Sequence, residues 1–167
     1  LVCNHMPAKS EWFKNSFPQV PGFENYFIAM YPAVDLSAVT RPRALPLLTP
    51  FTLTDGSVRQ VWTPFSADQI DLNYANPEVL LAMVDVLLRY LEKGADYVRL
   101  DAGGFMWKTP GTTCIHLEKT HQLIKLFRAI AELVAPGTAI ITETNVPHQD
   151  NIAYLGNGQD EAHMVYQ

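Results

Sequence analysis

The sequence predicts an α/β fold with parallel strands, and three observations predict it. Two stretches, one opening at Asn76-Pro77 and one near Glu118, repeat apolar residues at helical spacing. Between and after them lie short apolar runs, Tyr97-Val98-Arg99-Leu100-Asp101 and Thr138-Ala139-Ile140-Ile141-Thr142-Glu143, with a further run opening at Ala162. Strand-to-strand connections that pass through a helix imply parallel pairing with right-handed crossovers. A (β/α)8 barrel and an open doubly wound sheet both satisfy this order.

Residues 1–5 read as the tail of a buried strand, and Ser10 is placed to cap a short helix from Glu11. From Phe17 to Asn76 the texture is irregular. Pro18, Pro21, Pro32, Pro42, Pro46, Pro50 and Pro64 recur too often for long helices. Asp55-Gly56, set between Phe51-Thr52-Leu53 and Ser57–Trp62, predicts a β-hairpin. A connection of this length inside a domain is usually functional or a small subdomain. Asn76-Pro77-Glu78 then supplies a capping side chain, a proline at the first helical position and an acid in the first turn. Val79, Leu80, Met83, Val84, Leu87, Leu88 and Leu91 form that helix's apolar face, and Gly94 ends it. The second helix runs from Glu118 to Val134. Its expected buried face is Leu123, Ile124, Phe127, Ile130, Ala131 and Val134, and Pro136-Gly137 closes it.

The chain has 167 residues, a net charge of -5 and 48% apolar content, enough to bury a core and too ordinary for a fibrous or disordered chain. No run approaches the ~20 apolar residues of a membrane span. The acidic balance argues against nucleic acid or an anionic membrane as partner. Cys3 and Cys114 have neither a disulfide framework nor metal-ligand spacing, so packed, reduced thiols and a cytoplasmic setting are expected. The chain opens on Leu1 with no initiator Met and stops inside an apolar run, so it is expected to be part of a longer protein.

In parallel α/β folds, functional side chains gather where strands end. Two of the predicted strands end in a carboxylate, Asp101 and Glu143. Arg99 shares a face with Asp101, and burying both is costly unless they pair or meet a polar ligand. The structural alternative is a buried ion pair or a helix-capping acid. Two carboxylates facing one cleft suit retaining glycoside chemistry, with one as nucleophile and one as acid/base. Asp101 beside Arg99 fits the ionised role, and Glu143 needs burial or a neighbouring charge to hold its proton.

Arg99-Leu100-Asp101-Ala102 resembles the strand-four signature of the α-amylase superfamily, glycoside hydrolase family 13, and Glu143 falls at its strand-five acid/base. Asn4-His5 is similar to the strand-three signature, and Gln69-Ile70-Asp71-Leu72-Asn73 to a motif near the end of the inserted domain. Thr40-Arg41-Pro42-Arg43, Phe65–Asn73, Trp107–His116 and Thr142–His148 resemble the sucrose phosphorylase subgroup. The last of these, with Asp160–Gln167, looks closest to its sucrose 6-phosphate and glucosylglycerate phosphorylases.

The resemblance implies part of a (β/α)8 TIM barrel, strands 3 to 6, with an irregular β-containing insertion after strand 3. Residues 1–16 would end strand 3 and begin the following loop. Residues 17–76 would be the insertion, and residues 77–167 would run from helix 3 to the start of strand 6. It implies an α-glucoside and inorganic phosphate as partners, with α-glucose 1-phosphate as product. It makes Asp101 the glucosyl acceptor and Glu143 the acid/base, with Arg99 orienting Asp101 and His5 binding a glucose hydroxyl. Arg43 would bind phosphate or an acidic acceptor, the alternative being a solvated loop arginine. Phe105, where many amylases carry histidine, would narrow the acceptor side. His116, His121, His148 and His163 are read as structural. No cofactor and no metal are implied, and the third carboxylate of the family falls outside this chain. An α-glucosidase or transglucosidase is the alternative activity, and an isolated segment of this length is expected to be inactive. Neither the acceptor (fructose, fructose 6-phosphate or glycerate) nor the oligomeric state is readable from the sequence.

Overall fold

The computed structural model describes residues 1–17, 20–30, 34–53 and 55–166. Pro18, Pro32 and Gln167 lie outside them. The elements are, in order, β1 (His5–Met6), α1 (Glu11–Ser16), β2 (Ala29–Met30), β3 (Leu48–Thr52), β4 (Val58–Trp62) and β5 (Ile70–Asp71). After these come α2 (Pro77–Glu92), β6 (Tyr97–Leu100), α3 (Glu118–Val134), β7 (Ala139–Glu143), α4 (His148–Ile152) and β8 (Met164–Tyr166).

The parallel sheet has the order β6-β7-β8. Val2 extends it by a parallel bridge to Asp101, with Leu1 donating to the Arg99 carbonyl at 2.7 Å and Asp101 N–H to Leu1 O at 3.0 Å. The strand tail predicted over residues 1–5 is therefore shorter. After Cys3 the chain leaves the parallel sheet, and β1 pairs antiparallel with β5, His5 opposite Asp71. The polar Asn4-His5 step turns the chain from one partner to the other.

The helices follow their caps. Ser10 Oγ accepts from Phe13 N–H at 3.1 Å, and Asn76 Oδ1 from Glu78 N–H at 3.0 Å. Gly94, at φ +79°, provides the left-handed turn that ends α2. Val79, Met83, Leu87 and Leu91 of α2 and Leu123, Ile124, Phe127 and Ala131 of α3 are buried with Val98, Leu100 and Ile140 of the sheet. Each large side chain so buried stabilises by about 1.5–3 kcal/mol. Val134 departs from the predicted face: it is 50% exposed, because the apolar period runs on into a final turn that the sheet does not cover. Arg128 is buried on α3 instead, its guanidinium donating to the Glu161 carbonyl at 2.8 Å.

The irregular stretch holds a second sheet, β2-β4-β3, all antiparallel. The predicted hairpin is present, with Gly56 at φ +80° and Asp55 accepting from Ser57 N–H at 2.8 Å. Pro50 sits in β3, an edge strand, where its missing N–H breaks no ladder. Phe27, Val61, Ile70 and Leu72 of this stretch share the main core with α2. The excursion is thus packed onto the parallel sheet, and β5 returns it to the chain's first residues.

His163 joins β7 to β8: its N–H donates to Ile140 O at 2.9 Å, and its Nδ1 accepts Ile140 N–H at 3.0 Å. Burial holds the imidazoles of His5, His116 and His163 below their ordinary 6.5. The unfolded chain then binds more protons, so their contribution is complete above pH 6.5 and lost as pH falls through the lower folded values. The histidines should therefore lower the denaturant midpoint as pH falls below about 6.5. His163→Asn, which keeps an acceptor without titrating, should flatten that slope; an unchanged slope would contradict the role given to His163.

Candidate active site

Asp101 follows the last residue of β6, and Glu143 is the last residue of β7, on adjacent parallel strands. Arg99 lies between them, its Nη2 2.9 Å from Asp101 Oδ1 and its Nη1 3.5 Å from Glu143 Oε2. Its side chain is 48% exposed, so the pairing costs less desolvation than the sequence reading assumed and stabilises correspondingly little. What it fixes is geometry: one planar fork addresses both carboxylates.

The backbone completes this arrangement. Ala102, at φ +52°, takes the left-handed conformation directly after Asp101 and donates its N–H to Glu143 Oε2 at 3.1 Å. Asn145, also left-handed at φ 48°, donates its amide to Glu143 Oε1. The neighbours of Glu143 are thus donors that fix where its two oxygens point.

These groups open into a cleft of about 580 Å³ that also includes His5, Arg43, Phe105, Phe65 and Gln69. Five of the six residues singled out from sequence line it, and the sixth, Arg99, holds two of the five. Phe105 and Phe65 meet edge to face at 5.2 Å, and Phe65 also packs on the His5 ring at 5.4 Å. They give the cleft an apolar wall beside its acids. Arg41 and Arg43 are exposed on the rim, Arg41 donating to Leu45 O at 3.2 Å.

Behind His5 lies a buried charge that residue order alone did not place there. Lys108 Nζ donates to Asn4 Oδ1 at 2.7 Å and sits 2.7 Å from Asp71 Oδ2, with Lys108 2% and Asp71 0% exposed. The Lys108–Asp71 contact is a fully buried ion pair, and the Asn4 amide also reaches the Asp71 carboxylate. Burial pushes the Asp71 carboxyl up to about 6, with the Lys108 charge and Asn4 pulling it back. Burial lowers Lys108 in turn, against the opposing pull of Asp71. Among the described residues no group of three or more His, Cys, Asp or Glu could hold a metal, and no helix is long and apolar enough to cross a membrane.

Residues 1–167 match the family described as alpha amylase, catalytic domain. The chain belongs to the α-amylase family. It is 76% identical over 167 residues to a glucosylglycerate phosphorylase of Escherichia coli (strain K12), covering all of this chain and 30% of that protein. A glucosylglycerate phosphorylase of Allomeiothermus silvanus is 54% identical, with the same coverage. The sucrose 6F-phosphate phosphorylase of Thermoanaerobacter thermosaccharolyticum superposes with a TM-score of 0.82 at 21% identity, over 100% of this chain and 36% of that one. The chain thus spans about a third of the length of these relatives. The parallel run from Val2 to β8 is the part of an α-amylase-type barrel expected from the sequence.

Within this member of the α-amylase family, sequence reasoning passed over Gln69, Asn145, Phe65 and Lys108. Gln69 and Asn145 stood inside motifs already noted, so their place was signalled and only their contacts were missing. Phe65 and Lys108 also stood inside such motifs, Phe65–Asn73 and Trp107–His116, but nothing there marked Lys108 as buried. Removing one partner of a buried ion pair costs about 3–5 kcal/mol, whereas removing both charges costs far less. Lys108→Met should therefore destabilise the protein by that amount in denaturant titration, and Lys108→Met with Asp71→Asn should recover most of it. Additive losses in the double variant would refute the pairing.

Proposed function

We propose that this chain is part of a glycoside phosphorylase that works by retaining double displacement. Asp101 attacks the anomeric carbon of an α-glucoside while the glycosidic C–O bond breaks and Glu143 gives the departing oxygen its proton. A phosphate oxygen then takes the glucosyl group from Asp101, Glu143 accepting a proton in return. Two inversions leave α-glucose 1-phosphate. Arg99 orients both carboxylates, and His5 meets a hydroxyl of the bound glucose.

The observation that carries this reading is the single guanidinium shared by Asp101 and Glu143 at neighbouring strand ends. Carboxylates held by one fork favour the short separation of retaining enzymes, ~5–5.5 Å, over the wider gap that admits a water. The names of the relatives favour glucosylglycerate as the α-glucoside. Exposed Arg43 at the rim suits either the glycerate carboxylate or phosphate, and Phe105 narrows the same side of the cleft. Residues 17–76 act as the inserted subdomain, between residues 1–16 and the barrel segment 77–167. Substrates of this kind are metabolites of the cytoplasm, where we place the enzyme.

The deciding assay uses the full-length enzyme with glucosylglycerate, with and without phosphate. Release of glucose 1-phosphate that depends on phosphate is expected, and free glucose made without it would establish a hydrolase. Asp101→Asn should lower kcat by about 10⁴-fold or more. Arg43→Ala should raise KM for the anionic substrate about tenfold with kcat largely kept.

A further inference from the structure

The two ring nitrogens of His5 face different neighbours. Nδ1 lies 3.4 Å from Asn4 Nδ2, and Nε2 lies 2.9 Å from the Gln69 amide on the side of the cleft. A neutral imidazole carries one N–H and one acceptor, and which nitrogen holds the hydrogen decides what the ring offers a ligand. Burial keeps this imidazole neutral; Asp101 opposes that effect and Lys108 adds to it.

Lys108 constrains the Asn4 amide beside the ring. An ammonium group has only hydrogens to give, and this one donates to Asn4 Oδ1 at 2.7 Å. The Asn4 oxygen is therefore committed to Lys108, which leaves its NH₂ for Asp71 and His5. Asn4 is fully buried and Lys108 nearly so, so solvent has little access to reverse this amide. An NH₂ aimed at Nδ1 makes that nitrogen the acceptor and places the ring hydrogen on Nε2. Gln69 must then turn its oxygen toward the ring, a half-turn of a planar amide that leaves the heavy-atom outline unchanged. We propose that Lys108, acting through Asn4, is a positioning residue that holds His5 in the Nε2–H tautomer. The ring hydrogen then goes to the Gln69 oxygen, which leaves the Gln69 NH₂ as the donor these two residues offer the cleft they line. Only the effect on turnover rests on the phosphorylase reading; the tautomer does not.

The test is ¹⁵N–¹H correlation of histidine rings in the full-length enzyme near neutral pH, with His5→Gln identifying the signal. The wild type should show a single neutral Nε2–H form; an Nδ1–H form or an imidazolium would overturn the proposal. In Lys108→Met the two tautomers should mix, with kcat/KM about tenfold lower, the scale of one hydrogen bond. Should that variant fail to fold, Lys108→Met with Asp71→Asn leaves no buried charge unpaired and should show the same mixing. A folded variant that keeps the pure Nε2–H form would overturn the role of Lys108. A pure Nε2–H form in the wild type and mixed tautomers in the variant, with no phosphate-dependent activity in either, would leave this inference standing and sink the phosphorylase reading.

Discussion

The buried ammonium of Lys108 ties together three segments that the chain keeps far apart. Asn4 lies where the first strand leaves the parallel sheet, Asp71 ends the strand that returns from the long excursion, and Lys108 follows the turn after Asp101. Removing charges from water this completely is tolerated only when every partner is in place. The pair adds little net stability compared with a well-packed apolar substitute, but it penalises any arrangement in which one segment is missing. That favours specificity over net stability: the excursion closes over the sheet in the register that sets His5 opposite Asp71, where all three partners meet.

From that register the rest of the cleft follows. β1 points His5 toward the strand ends, and the parallel pairing of β6 and β7 sets Asp101 beside Glu143. Arg99 then needs no burial to act, since its two partners are already positioned. The aromatic wall of Phe65 and Phe105 joins the returning strand segment to the turn after β6, so that the turn carrying on from Asp101 also supplies half of the apolar wall.

Much of this was legible from residue order because the signals are local. Asn76-Pro77-Glu78 fixes the start of α2 through groups within three residues, and Asp55-Gly56 specifies a turn whose backbone demands are met at two positions. Asp101 and Glu143 were visible for a related reason, since a polar residue ending an apolar run has few structural uses. Val134 misled because helical period says which residues share a face, not how far the facing sheet extends. Lys108 was unreadable as a buried cation: its partners are remote in sequence, and a lone lysine is by default a solvated one. Arg99 was expected to be buried, because strand alternation cannot tell a closed interior from an open cleft.

The donor that Ala102 offers to Glu143 belongs to the main chain. No substitution other than proline can delete it, and drift in the neighbouring side chains leaves it in place. The residues that shape the cleft, Phe65, Phe105 and the rim arginines, are by contrast open to exchange one codon at a time. The chain therefore separates what must stay fixed from what can vary. The two strand-end carboxylates are anchored in part by groups the genetic code can scarcely edit, and the walls of the cleft are made of groups it can.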